Sequence, residues 1–321
     1  MRLPTLAVAL FLFCILCWEG GTALARSFTP GPYQNGDGAV TVGADGDFVD
    51  PYFANRALTL ADEFGLDVRA AANPWIRWAM ARQLEDGRFE RYCRSDTTRW
   101  SSCEPADADD AVLAVWLELL YRIAPESGLP ASWSSSATRA LSYLETLRDK
   151  GSGLYVISHD LSVSLLMDNV EIYHSFRTIG AANRRFGKQE LGHRYEQKAA
   201  LLAGAIVRNL WISQSSSFRV STQERQPGTF YPDAVAQMYA WTFGMPTPSR
   251  SASNAFQHWL DLHESTWLNR TEDAFPWGIV ALTAYRFGRT DYVRLWLESV
   301  SPLRHGPYWT VLEEAILQAL Q

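Results

Sequence analysis

The chain is poor in cysteine, with four residues in 321. Two of them, Cys14 and Cys17, stand in an apolar opening segment, which leaves Cys93 and Cys103 as one pair. No further Cys or His lies near that pair in sequence, so a metal site would be half complete. A single disulfide closing a short loop is expected instead, worth about 2–4 kcal/mol in an oxidising compartment. Positive charge is also in short supply, 29 Lys+Arg against 35 Asp+Glu for a net charge of -6. Phosphate backbones are bound by clustered Lys and Arg, which argues against nucleic acid as a partner. After the opening segment no apolar run reaches the roughly 20 residues of a membrane-spanning helix, so no stable span is expected in the mature chain. Low-complexity tracts, β-rich stretches and an interdomain linker are missing too. A hydrophobic content of 47% then supplies the core of one large domain.

The opening segment has its own logic. Met1-Arg2 is basic, Leu6 to Leu16 is apolar, and Ala23-Leu24-Ala25 is a small-x-small cleavage site. That is the layout of a secretory signal peptide over residues 1–25, and it predicts a periplasmic or secreted protein. Residues 26–50, rich in Gly, Pro and Asp, read as an irregular lead-in. A single helical domain is expected over 51–321.

Within that domain apolar residues recur at spacings of three and four. Helices are predicted at roughly 52–65, 74–84, 109–123, 133–149, 167–187, 189–212, 232–243, 251–268, 276–287, 290–300 and 308–320. Every second one opens with a similar phrase: Asp50-Pro51-Tyr52, Asp110-Ala111-Val112, Asp168-Asn169-Val170, Pro232-Asp233-Ala234, Pro276-Trp277-Gly278 and Pro307-Tyr308-Trp309. Asp caps orphan amides and Pro suits a first turn. These opening helices are apolar nearly all round, the mark of burial, and the intervening ones carry a polar face. Six inner helices ringed by five outer ones describe an all-α (α/α)6 toroid. Long loops at 85–108, 150–166 and 213–231 precede inner helices and crowd one rim, where loops commonly carry function. Short β-like pieces are expected in them at 87–92, 153–157 and 218–221.

Three constellations at that rim carry chemistry. Asp107, Asp109 and Asp110 place three carboxylates in four residues, where repulsion raises at least one pKa in a partly dry site. Asp107 and Asp110 share a helical face and Asp109 points elsewhere. The trio reads as an acid, a base or a cation site, or as a solvated helix cap. Asp168 and Glu171 share a face at the next inner helix start, with Asn169, Tyr173 and His174 beside them; a cap arrangement is the plainer account. Aromatic residues at or near inner-helix starts, among them Trp100, Tyr173, Tyr231, Trp277 and Tyr308, suit the apolar faces of sugar rings, although aromatics also fill cores. Trp75, Trp78, Trp116, Trp211 and Trp296 are expected in the core. Asp45, Asp47 and Asp50 lack the full calcium-loop pattern, and the remaining histidines show no metal spacing, so neither metal nor cofactor is predicted.

The alternating openings and the phrase Ala106-Asp107-Ala108-Asp109-Asp110-Ala111 resemble the six-hairpin glycosidases, and in motif the family 8 glycoside hydrolases. The resemblance implies a polysaccharide or oligosaccharide substrate and a functional aspartate at Asp109 or Asp107. The chain departs from that family at its first inner helix, where Asp50-Pro51-Tyr52 stands in place of a Ser-Glu-Gly phrase. Asp-x-Asp-Asp also resembles the acid motif of class II terpene cyclases. The expected activity is glycoside hydrolysis by paired carboxylates, Asp110 or Asp109 with Asp168, and Asp50 and Asp233 in reserve. A glycan-binding assembly protein and a lyase using Tyr173 or Tyr231 with His174 are the alternatives.

Overall fold

The computed structural model describes residues 26–95, 99–224, 228–248 and 251–321. The expected signal peptide over 1–25 lies outside the described residues. The described residues form eleven α-helices: α1 Pro51–Glu63, α2 Arg69–Met80, α3 Asp109–Ile123, α4 Ala131–Thr146, α5 Leu166–Arg185, α6 Gln189–Leu210, α7 Ala236–Thr242, α8 Ala252–Asn269, α9 Gly278–Arg286, α10 Thr290–Val300 and α11 Val311–Leu320. Odd-numbered helices pack in sequence, α1 on α3, α3 on α5, α5 on α7, α7 on α9, α9 on α11 and α11 back on α1. The ring therefore closes. α2, α4, α6 and α10 pack on α1, α3, α5 and α9 from outside, and α8 packs on the turn ahead of α7 and on α10. This is the (α/α)6 toroid with five outer helices.

Burial follows the apolar pattern. Every residue of α3 from Asp109 to Leu120 is buried, as a helix apolar all round requires. The core between the two layers holds Trp75, Trp116, Trp267 and Trp296, each almost fully buried. Trp78 joins them, whereas Trp211 stands half-buried on a strand edge against Phe218. Two helices begin elsewhere than their sequences imply. α2 starts at Arg69 and carries Pro74 inside it, so that proline does not mark its first turn. The helix expected from residue 232 begins as a π-helical turn over Phe230–Ala234, kinked at Tyr231, before α7 proper.

Short strands occupy the long loops. β1 (Phe48–Val49), β2 (Glu90–Arg94) and β3 (Trp100–Pro105) form an antiparallel sheet in the order β1-β2-β3. The Cys93–Cys103 disulfide ties β2 to β3. β4 (Trp211–Ile212) pairs with β5 (Ser217–Phe218). In the 150–166 loop only isolated bridges form, Arg148 with Tyr155 and Leu165 with Ser221.

The lead-in takes the flank where a sixth outer helix would lie. Phe28, Tyr33 and Val40 are buried. Gln318 on α11 exchanges two hydrogen bonds with the Thr29 backbone, 3.0 and 2.7 Å. The Val311 amide donates to the Val42 carbonyl at 2.9 Å. No helix among the described residues is long and apolar enough to cross a membrane.

Candidate active site

All inner helices point their N-termini at the same mouth, so the opening residues converge there. Asp50 caps α1, its Oδ1 accepting from the Tyr52 amide at 2.9 Å. Burial pushes its carboxyl up to about 6 against the pull of that amide and of Arg91, and Asp107 raises it further. Asp110 is the second residue of α3 and fully buried; its Oδ1 accepts from the Ala111 amide at 2.9 Å. Asp168 is the third residue of α5 and 7% exposed. Asp110 and Asp168 stand close enough for each to bear on the other's titration, and Oδ2 of each is buried without a hydrogen-bond partner. Burial, then mutual repulsion, raises Asp110 well above the usual carboxylate range. Burial, then the charges of Glu171 and Asp107, raises Asp168. The two therefore titrate as a coupled pair that gives up protons less readily than ordinary carboxyls. Asp107 is exposed at the lip and acts electrostatically on both Asp50 and Asp168.

Asp109 turns away from this group, as its helical position implies. It faces Arg88 at 3.9 Å, and burial, opposed by Arg88, raises it to about 6.

Below the mouth the axis is filled with charge. Glu171 Oε1 accepts from the Tyr52 hydroxyl at 2.8 Å and from Arg56 Nε at 3.0 Å. Arg56, 2% exposed, also reaches Glu118 at 3.2 Å and lies over the Phe243 ring. Deeper still, Glu63, Glu118 and His174 bring one ligand atom each within 4.8 Å of one another. That is metal-sized spacing, but cations already face both carboxylates. Arg122 lies 3.1 Å from Glu63 and 2.9 Å from Glu118, and Arg286 pairs with Glu63. Burial would lower His174, but Glu118 and Glu63, at 3.4 and 2.9 Å, hold it above its ordinary value. Burial would raise Glu118, yet His174, Arg56 and Arg122 keep it far below the carboxylate range. The cluster is an ion-pair network closing the toroid opposite its mouth. Sequence reading missed Arg56, Glu63 and Glu118; the signal was an isolated charge within an apolar inner helix, since such charges are buried only when paired.

The other half of the mouth is aromatic. Tyr231, ahead of α7, stacks on Trp277, the N-cap of α9, with centroids 4.5 Å apart and planes at 20°. Phe275 packs 5.8 Å from Trp277 and 5.6 Å from Tyr308. Tyr231, Phe275 and Tyr308 are all exposed. Burial, then the charges of Asp168 and Asp107, raises the Tyr231 phenol, so its ring reaches the acidic half. Carboxyls from the hairpins of α1, α3 and α5 thus face aromatics from those of α7, α9 and α11.

Besides Asp109, four of the expected site residues are placed elsewhere. Asp233 Oδ2 accepts from the amides of Gly228 and Thr229 and from the Thr229 hydroxyl; it holds its own loop beside a groove outside the ring. Tyr173 turns outward, donating to the Gly244 carbonyl at 3.3 Å. His174 belongs to the ion-pair network. Trp100 packs on Trp78 and donates to Asp37 at 3.1 Å, away from the mouth. The structure brings together Asp50, Asp107, Asp110, Asp168, Glu171, Tyr231, Trp277 and Tyr308.

Solved structures share this architecture. The chain is similar to a D-mannose isomerase at 13% identity, with 90% of this chain and 93% of that one covered and a TM-score of 0.60. It is similar to a reducing-end-xylose releasing exo-oligoxylanase at 12% identity, covering 90% and 86%, with a TM-score of 0.59. An α-amylase from Clostridium perfringens matches at 11% identity, covering 90% and 93%, with a TM-score of 0.57. The fold is the α/α toroid of glycosidases and sugar isomerases. No family model matches the chain, and no curated protein matches it by sequence. At these identities the likeness is one of fold, and chemistry must be argued from the site.

Proposed function

We propose that this protein is an exported carbohydrate-processing enzyme that hydrolyses a glycosidic bond at the toroid mouth. The observation that carries the reading is the buried carboxyl pair Asp110–Asp168, built from two hairpins, beside the separately tuned Asp50. Glycoside hydrolysis needs a carboxylic acid to protonate the leaving oxygen and a carboxylate to activate water or attack the sugar. Environments that push two carboxyls apart in pKa mark those roles. Asp168, the more accessible member of the pair, is the acid, and Asp110 behind it stores the proton. Asp50, raised to about 6, is ionised at neutral pH and is the base. Asp107 adds negative charge where an oxocarbenium-like sugar develops positive charge. Trp277, Tyr231 and Tyr308 offer ring faces to the substrate.

Two of the structural neighbours are named for glycan-cleaving activities, which fits this reading. The narrower kinship with family 8 glycoside hydrolases rests on the Ala106–Ala111 phrase. Export rests on the first 25 residues and accords with the disulfide. The deciding experiment is a panel of polysaccharides and oligosaccharides incubated with the mature protein. New reducing ends support hydrolysis. Ultraviolet-absorbing products mean a lyase, and interconverted monosaccharides with no new ends mean an isomerase.

The pH dependence has a definite sign. Asp50 must be ionised, so kcat/KM rises as pH climbs through about 6. The pair must keep its proton, so the rate falls on the alkaline side once that proton leaves. The expected profile is a bell with its maximum near neutrality. A rate still climbing at pH 9 removes the acid role from Asp168.

Replacing the wall tests substrate contact. Trp277→Ala is expected to raise KM about 3- to 10-fold, the worth of one aromatic stacking contact, with a smaller change in kcat. An unaltered KM on every cleaved glycan takes the aromatic half out of the binding site.

A further inference from the structure

Trp277 has a backbone that its side chain disfavours. Its φ of 46° and ψ of 58° are left-handed, a conformation that costs energy in a bulky residue and persists only where the surroundings impose it. Here they do so from both sides. The carbonyl of Pro276, just before it, accepts from two buried indoles, Trp267 Nε1 at 3.2 Å and Trp296 Nε1 at 2.9 Å. The amide of Gly278, just after it, donates to both oxygens of Glu313, at 3.2 and 3.0 Å. A side chain at residue 278 would push Glu313 aside, because a Cβ there would lie 2.5 Å from Glu313 Oε2 and 2.9 Å from Ile316 Cγ2.

Glu313 is itself an anomaly. It is 6% exposed, and burial pushes its carboxyl up to about 7, offset by the Gly278 amide alone. An apolar side chain would join α9 to α11 without burying a titratable group. What the carboxyl adds is a fixed acceptor for the amide that follows Trp277. Downstream, Trp277 carries the stacked Tyr231 ring, and the Tyr231 phenol lies in the field of Asp168 and Asp107.

We infer that Glu313 is a positioning residue for sugar binding: through Gly278 it fixes the backbone of Trp277, and Trp277 holds Tyr231 against the acidic half of the mouth, so a pyranose ring meets a preset aromatic wall. The inference rests on reading the mouth as a glycan site, although the mechanical link from Glu313 to Trp277 can be tested without any sugar.

The test labels the protein with 5-fluorotryptophan and compares Glu313→Gln and Glu313→Leu with wild type, the Trp277 fluorine resonance being identified by its loss in Trp277→Phe. Glu313→Gln retains a carbonyl oxygen for the Gly278 amide, so resonance and KM stay near wild type. Glu313→Leu strands that amide; the Trp277 resonance shifts or broadens while the remaining tryptophans stay in place. KM on the cleaved glycan then rises about tenfold, with kcat within about threefold, the loss of one buried hydrogen bond felt through binding. A purely structural role would move kcat and stability together and leave the KM split absent. Should Glu313→Leu not fold, Gly278→Ala presses on the same contact from the other side and should move the same resonance. A Trp277 resonance unmoved in the folded variants overturns the inference. Wild-type protein inert on every glycan would defeat the hydrolase reading, and the fluorine spectra would still decide whether Glu313 holds Trp277.

Discussion

Asp168→Asn is expected to lower turnover of a cleaved glycan by about 10²- to 10⁴-fold, the usual worth of a general acid, with the fold retained. An amide at 168 has the shape of the carboxyl it replaces and can still accept from a protonated Asp110, so the packing of α5 on α3 survives. What is lost is a proton that can be given to the leaving oxygen. Stability should hold or rise, because a repelling carboxyl leaves a buried site. Asp110→Asn should be nearly as damaging for a different reason. Its amide can donate to Asp168 and so favours the ionised form that burial, Glu171 and Asp107 oppose, which weakens Asp168 as an acid. Steady-state kinetics with thermal unfolding of both variants checks this. Full activity in either folded variant would remove the carboxyl pair from the mechanism.

Arg56→Met should be the most destabilising single change outside the mouth, costing about 3–5 kcal/mol. Arg56 is the cation between Glu118 and Glu171, at 3.2 and 3.0 Å, and all three are buried. Its removal leaves two carboxylates in the axis with less compensation. Glu118 keeps Arg122 and His174 as partners, so the greater damage falls on Glu171, which keeps the Tyr52 hydroxyl. The combined variant Arg56→Met, Glu118→Gln, Glu171→Gln should recover much of the loss, because replacing a buried ion network is cheaper than halving it. Urea unfolding measures both. A single variant within about 1 kcal/mol of wild type would mean that water reaches the axis and screens it.

The helix order was legible because each inner helix announces itself by an apolar run behind a capping phrase, and Pro, Asp and Gly punctuate the rest. α3 and α10 lie where periodicity puts them. The meeting of Asp110 and Asp168 was legible too, since equivalent positions of neighbouring inner helices must approach one another in a closed ring. What failed was the assumption that nearness to a helix start means nearness to the mouth. Tyr173 is five residues beyond Asp168, about 140° around the helix at 3.6 residues per turn, so it faces outward, while Glu171 at three residues stays on the inner face. Asp233 precedes a helix that starts late, at Ala236, and its carboxyl is taken up by the turn before it. Apart from His174, the ion-pair network lies in the later turns and C-terminal ends of helices whose starts carry the sequence signals. Glu313 and the clamp on Trp277 were beyond reach, because they depend on contacts between residues 35 apart in the chain.

The seam between the lead-in and α11 bears on how the molecule is made. Thr29 and Gln318 are separated by 289 positions, so the last of the described helices is covered by nearly the first segment of the described chain. Until α11 emerges, α1 and α9 each present an apolar flank to solvent. Circularisation is thus a long-range event that follows synthesis of α11, and contacts of such sequence separation form slowly. The stage most exposed to misassembly is the open crescent that precedes it.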